Sequence, residues 1–192
     1  MYVGPDSKKM EMHKNLLASI SPELNKHVNN HMREGIEGEI HLPEEEEEAL
    51  TLFIEWAYSG NYDHKKVTPE STLEQDDLWQ RLHKHLQLCV FADKFNIPIL
   101  RELAESKFHT EITLIEPSSR SDAISLVMVI GYAYNNLPGS HPILKLFAQY
   151  ASWKLALLRG TTGFSQLILA QPTFLEEFLR HLSGLTSKPR TP

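Results

Sequence analysis

The segment from Glu39 to Gly60 constrains the fold of this chain most, because its periodicity changes from strand-like to helix-like within a few residues. Residues 39–42 (EIHL) alternate polar and apolar side chains, the pattern of a half-buried strand. Pro43 to Tyr58 then predicts one amphipathic helix, in which Pro43 suits the first position because it has no N–H to leave unpaired. Gly60 can end this helix in the left-handed conformation. The segment therefore predicts a strand and a helix that close a small core.

The first turns of the predicted helix contain five consecutive glutamates at residues 44–48. Carboxylates are favoured there by the positive end of the helix dipole. We interpret the run as a solvated helix start, and the alternative is an acidic face for a basic partner. The apolar stripe of the same helix faces the core. It consists of Ala49, Leu50, Phe53, Trp56 and Ala57.

The elements before this segment mix strands and helices. Residues 2–4 and 9–13 predict two short strands, and residues 15–20 predict a short apolar helix. Ser21 as N-cap and Pro22 at the first position then begin a helix that runs to about Met32.

After Gly60 the chain predicts helices only, beyond a polar connector at residues 61–77. The predicted helices cover residues 78–95, 99–112, 122–135, 140–158 (with Ser140 as N-cap), 164–170 and 173–182. Strands followed by helices predict an α+β fold with an all-helical C-terminal extension.

The domain limits follow from a change in composition at Pro117-Ser118-Ser119, which separates two helical patterns. We place the first domain at residues 1–112 and the helical extension at residues 120–184. The last segment, residues 185–192, predicts a disordered tail.

Charge and cysteine content limit the possible functions. The net charge is −6 and the positive charges are scattered, so we expect no direct nucleic-acid contact. The chain of 192 residues has one cysteine and hence no disulfide within it, which favours a reducing compartment, cytoplasmic or nuclear. The longest apolar runs, such as residues 124–130, are too short for a membrane span, which needs about 20 residues.

The residues that could perform chemistry form no recognisable catalytic set. Cys89 lies on the apolar stripe of its helix, which predicts a buried and inert thiol. His27 and His31 are four residues apart, but Val28 replaces the glutamate of a metalloprotease motif, and His83 and His85 project to different faces. A histidine-based metal hydrolase is therefore the least favoured alternative, and we expect no enzyme activity, no metal and no cofactor.

Several motifs occur in an order and spacing that resemble a BTB/POZ domain of the stand-alone type common in filamentous fungi. The resemblance covers about residues 1–110. It is carried by Met10-Glu11-Met12-His13-Lys14 with Leu16-Leu17, Ser19 and Ser21; by Ile40-x-Leu42-Pro43; by residues 53–60 (FIEWAYSG); and by residues 88–97 (LCVFADKFNI) with Leu100.

This resemblance implies a cluster of helices flanked by a small sheet, no enzymatic activity, and association with itself or with other proteins. The family's first strand is truncated here to residues 2–4. The family core motif would be His13, Leu42, Trp56 and Asp93. We interpret His13 as a core histidine that is hydrogen-bonded to the backbone where a strand meets a helix.

The resemblance also implies a partner. Many members are substrate adaptors for cullin-3 ubiquitin ligases, and others act in transcriptional complexes. Met32-x-Glu34 matches the adaptors' hydrophobic-x-acidic motif, and Tyr58 and Tyr62 would complete the partner surface. The alternative is that Met32 is partly buried beside a helix-ending Gly35. The sequence thus predicts a protein–protein interaction module, either a cullin-3 adaptor or a transcriptional co-regulator that acts through protein contacts.

Overall fold

The structure is a computed structural model that describes residues 1–29, 36, 38–62, 75–182 and 188–189. The chain divides into two compact units. The first unit comprises Met1–Thr72 and Lys84–Phe108, and the second comprises Leu73–His83 and His109–Pro192. The predicted domains, residues 1–112 and 120–184, have other boundaries than these two units, and the domain limits stay a prediction.

A small sheet in the first unit contains β1 (Tyr2–Val3), β2 (Lys8–Lys9) and β3 (His41–Leu42). The order is β2-β1-β3, with β1 antiparallel to β2 and parallel to β3, so that Val3 lies opposite both Lys8 and Leu42. The predicted strand over residues 9–13 is wrong beyond Lys9. The turn after β1, in which Ser7 N–H donates to the Gly4 carbonyl, fixes the start of β2, and pairing with β1 ends with the bond from Met10 N–H to the Met1 carbonyl.

The helices with described bounds up to Ile112 are α1 (Lys14–Ile20) and α2 (Pro22–Val28), which lie between β2 and β3, and α3 (Glu47–Ser59), α4 (Gln75–Lys94) and α5 (Pro98–Ile112) after β3. The predicted cap of α2 is confirmed, because Ser21 Oγ accepts from Leu24 N–H. The predicted end of α3 is also confirmed. Gly60 has φ of 75° and its N–H donates to the Trp56 carbonyl.

The start of α3 differs from the prediction: it begins at Glu47 and not at Pro43. Glu45 N–H donates to the Leu42 carbonyl, so a turn after β3 uses the residues that were expected to begin the helix. Pro43 would suit the first position of a helix, but it lies in this turn instead.

Glu44, Glu46 and Glu48 are exposed, as a solvated run predicts, but Glu45 is buried and each of the five glutamates at residues 44–48 has a partner in the first unit. Lys94 Nζ lies 2.5 Å from Glu45 Oε1 and 3.6 Å from Glu44 Oε2. The other contacts are Lys8–Glu47 at 2.7 Å, Lys84–Glu48 at 3.4 Å, and a hydrogen bond from Gln87 to Glu46. The run therefore connects the start of α3 to β2 and α4.

The interior of the first unit is built from the apolar faces of these helices. Phe53 is fully buried, and its ring centroid lies 5.0 Å from that of Phe91 and 6.2 Å from that of Trp56. Other fully or almost fully buried side chains are Leu17, Leu24, Leu50, Leu86, Leu100 and Ala104.

The second unit contains α6 (Arg120–Asn136), α7 (Pro142–Trp153), α8 (Leu155–Leu158), α9 (Thr162–Ala170) and α10 (Pro172–His181). The predicted helix over residues 140–158 is wrong at its start and in its continuity. His141, not Ser140, caps α7 through Nδ1, which accepts from Ile143 N–H, and the helix breaks at Lys154. An aromatic cluster of Tyr134, Phe164, Phe174 and Phe178 fills the interior.

The buried carboxylate of Asp122 organises the start of α6. Its Oδ1 accepts from the Trp79 indole at 2.9 Å, and its Oδ2 accepts from the N–H groups of Ser118 and Ser119 at 2.9 and 2.8 Å. Ser119 Oγ accepts from Asp122 N–H and completes a capping box. Burial opposes ionisation of Asp122, but these donors outweigh burial and lower its pKa below the usual value.

Of the tail predicted to be disordered, residues 185–187 and 190–192 lie outside the described residues. Lys188 and Pro189 are described, and Pro189 is buried. No helix in the described part of the chain is long and apolar enough to cross a membrane.

Candidate protein-docking surface

An exposed aromatic side chain, Tyr58, marks the end of α3. Its side chain is 52% exposed. The hydroxyl accepts from His13 N–H at 3.0 Å and lies 2.5 Å from His13 Nδ1, and the two rings meet edge to face. His13 is the N-cap of α1 and is itself exposed, so its interpretation as a core histidine is wrong. The pair holds a half-exposed phenol ring in one orientation at the surface.

Tyr62 does not share this surface, because it is fully buried. Its hydroxyl lies 3.0 Å from His85 Nδ1. Lys107 donates to the Tyr62 carbonyl, and its ammonium lies 4.1 Å from the centroid of the Tyr62 ring. We therefore remove Tyr62 from the predicted partner surface and assign it to the interior of the first unit.

The four positions of the predicted core motif have different environments. Leu42 is buried, whereas Trp56 and Asp93 are half-buried and His13 is exposed. Asp93 Oδ1 accepts from Arg101 at 3.1 Å and so joins the end of α4 to α5. Trp56 packs its ring against Phe53. Only Leu42 belongs to the core, and the other three positions lie at its edge.

Comparison with known proteins decides the family. The model of the BTB/POZ domain matches residues 2–112, more than half of the chain. The chain belongs to the BTB/POZ family. The predicted α+β fold and the predicted resemblance are thereby confirmed, and the BTB domain is a module for protein interaction and self-association. No curated protein matches the chain.

Two residues of the predicted cullin-type motif in this BTB domain, Met32 and Glu34, lie outside the described residues. Their role as partner contacts stays a prediction. The same holds for the pairing of His27 with His31, since His31 is not described, although His27 is exposed and has its ring near that of Phe95.

The remaining two histidines named as candidates in the sequence, His83 and His85, each contact an aromatic ring. In the first unit, His85 is buried against Tyr62. In the second unit, the ring of His83 meets Tyr132 edge to face, with centroids 4.8 Å apart.

The single cysteine of the BTB domain is buried, as predicted. Burial of the Cys89 sulfur, together with the negative charge of Glu105, raises the pKa of the thiol to about 12. The Cys89 thiol is therefore protonated at neutral pH. It should react slowly, because the thiolate is the reactive form of cysteine.

We expect Cys89 in the native protein to react with a maleimide at least tenfold more slowly than after denaturation. Mass spectrometry of timed aliquots measures both rates, and a short cysteine-containing peptide in the same tube controls for reagent activity. Equal rates in native and denatured protein would contradict burial of the thiol.

Sequence reasoning missed the contact between His13 and Tyr58, although it named both residues. No sequence signal joins two positions 45 residues apart. It also missed Asp122 as a buried cap, although Ser119-x-x-Asp122 resembles the spacing of a capping box and could have indicated it.

Proposed function

We propose that this BTB protein is an adaptor that binds cullin-3 through a surface formed by Met32, Glu34 and Tyr58. The observation that carries the proposal is the half-exposed Tyr58 ring, held at the end of α3 by His13. Tyrosine combines a large apolar ring with a polar tip and is enriched among the residues that dominate binding energies. Because its orientation is already restricted, little side-chain entropy is lost on binding.

The two sequence-motif residues would contribute different interactions to this surface. Met32 has an unbranched, adaptable side chain that can fill an apolar pocket on a partner helix. Glu34 can accept a charge-assisted hydrogen bond that sets the register of the partner. Residues 120–184, which we propose as a helical extension, would then present a second surface for a client.

The test is the affinity of the full chain for the purified N-terminal domain of cullin-3, measured by isothermal titration calorimetry. We expect the double variant Met32→Ala, Glu34→Ala to bind at least tenfold more weakly than the wild type, and Tyr58→Ala to bind about tenfold more weakly. Leu169→Ala is the matched control, because it truncates a side chain that is 82% exposed on α9, and its affinity should be unchanged.

Thermal unfolding of each variant shows whether a lost affinity reflects loss of structure. Wild-type affinity in both surface variants would remove these residues from the interface. A wild-type chain that binds no cullin-3 would contradict the adaptor proposal and favour the co-regulator alternative.

A further inference from the structure

A lysine from the C-terminal end of the chain has all its hydrogen-bonding capacity satisfied within the second unit. Lys188 Nζ donates to the Thr113 carbonyl at 2.7 Å, to the Ile115 carbonyl at 2.9 Å and to Glu116 Oε1 at 2.9 Å. A lysine ammonium has three N–H donors and no acceptor. Three acceptors therefore match the ammonium group fully, and the Lys188 side chain is only 22% exposed.

The acceptors lie in a hydrogen-bonded turn after α5. Thr113 and Ile115 directly follow α5, whose C-terminal end carries the negative end of the helix dipole. The turn is closed by hydrogen bonds within the chain, since Ile115 N–H donates to the Ile112 carbonyl and the buried Tyr150 hydroxyl donates to the same carbonyl at 3.0 Å. This arrangement leaves the carbonyls of Thr113 and Ile115 directed to Lys188.

An aromatic ring and a carboxylate make the environment favourable to a cation. The Lys188 ammonium lies 5.9 Å from the centroid of the Trp153 ring, at the outer limit of a cation–π contact, and the Lys154 ammonium lies closer to the same ring at 3.9 Å. Glu116 supplies a full negative charge. The next residue, Pro189, is buried, so two consecutive side chains attach the C-terminal end to this unit.

We propose that Thr113, Ile115, Glu116 and Trp153 form a binding pocket for a lysine side chain, which we name the lysine pocket. Lys188 is its intramolecular ligand, and a lysine–proline segment of another polypeptide competes with it. The ligand class follows from the donor set: two carbonyls and a carboxylate converge on one ammonium, whereas the planar guanidinium of arginine presents its donors as a fork. This proposal does not depend on cullin binding.

Because Lys188 belongs to the same chain as the lysine pocket, a lysine of another polypeptide must displace it in order to bind. A ligand that belongs to the same chain as its site has an effective concentration of roughly millimolar. A peptide with the same affinity as Lys188 must therefore exceed this effective concentration to displace it. A peptide with higher affinity displaces Lys188 at a proportionally lower concentration. The C-terminal end would thus act as a built-in competitor that sets a threshold for partners bearing lysine.

The test uses the full chain with Lys188→Ala, labelled with ¹⁵N for NMR, and a synthetic peptide of residues 183–192 (SGLTSKPRTP). Removing Lys188 should shift the amide signals of Leu114, Ile115 and Glu116 and the indole signal of Trp153. Adding the peptide should return these signals toward their wild-type positions. We expect the peptide to bind wild-type protein at least tenfold more weakly, because the pocket is already filled.

Two further samples isolate the ammonium group. The same peptide with Nε-acetyl-lysine at the Lys188 position lacks the charge and two donors, and should bind the Lys188→Ala chain at least tenfold more weakly. A chain with both Lys188→Ala and Glu116→Gln should also lose affinity for the unmodified peptide while keeping its folded spectrum.

The proposal would be overturned by equal peptide binding to wild-type and Lys188→Ala chains, or by no binding to the folded variant at millimolar peptide. Signal changes that avoid residues 113–116 and Trp153 would likewise place the peptide elsewhere.

Discussion

Phe53→Ala is expected to lower the free energy of unfolding by about 4 kcal/mol. Phe53 is fully buried on the inner face of α3, and its ring lies against those of Phe91 and Trp56. Truncation to alanine removes the apolar surface and leaves a cavity that close-packed neighbours fill only in part. Urea denaturation followed by circular dichroism measures the change.

Thr51→Ala is the matched control, two residues earlier on the same helix. Thr51 is exposed, and its hydroxyl donates to the Glu47 carbonyl of the preceding turn. Its change in unfolding free energy should stay within about 0.5 kcal/mol. If Phe53→Ala changed stability as little as Thr51→Ala, α3 could not pack with Phe53 inward.

Asp122→Ala is expected to lower the free energy of unfolding by about 3 kcal/mol, because it leaves several buried donors without an acceptor. These donors are the Trp79 indole and the N–H groups of Ser118 and Ser119. The same change removes one half of the capping box of α6. Ser121→Ala, an exposed position in the same turn, should change stability by no more than about 0.5 kcal/mol.

The stabilising effect of Asp122 should also depend on pH in a defined direction. Its pKa in the folded protein lies below the unfolded value of 3.8, so its charge stabilises the fold fully above that value. The contribution is lost as pH falls through the folded pKa. We therefore expect the stability difference between wild type and Asp122→Asn to be constant from about pH 5 to 8 and to narrow below about pH 4. A difference that widened on acidification would contradict this assignment.

Features that depend on neighbouring residues were predictable from the sequence. Ser21 and Pro22 begin α2, and Gly60 ends α3, because capping is decided by side-chain and backbone chemistry within one helical turn. The apolar stripe that includes Phe53 identified the buried face of α3, since helical periodicity places those residues on one side. The order of such local patterns along residues 2–112 was sufficient to recognise the BTB/POZ family.

Features that depend on distant residues were decided by the tertiary structure. Pro43 is not helical because a turn after β3 takes the residues before Glu47, and Glu45 is held by Lys94 from another helix. Tyr62 is interior, where its ring and hydroxyl contact Lys107 and His85 from other parts of the first unit. The order of polar and apolar residues in the sequence does not predict which distant residue a polar side chain will contact.

The two proposed binding sites illustrate the same division. The residues involved are ordinary in the sequence: a tyrosine at a helix end, a histidine before another helix, and a lysine beside a proline. His13 meets Tyr58 across 45 residues, and Lys188 meets Thr113 across 75 residues. Local sequence therefore determines which segments become helices, strands and turns, because those preferences act over a few residues. Only the packed chain determines which exposed or buried groups come together, because that depends on contacts between segments remote in sequence.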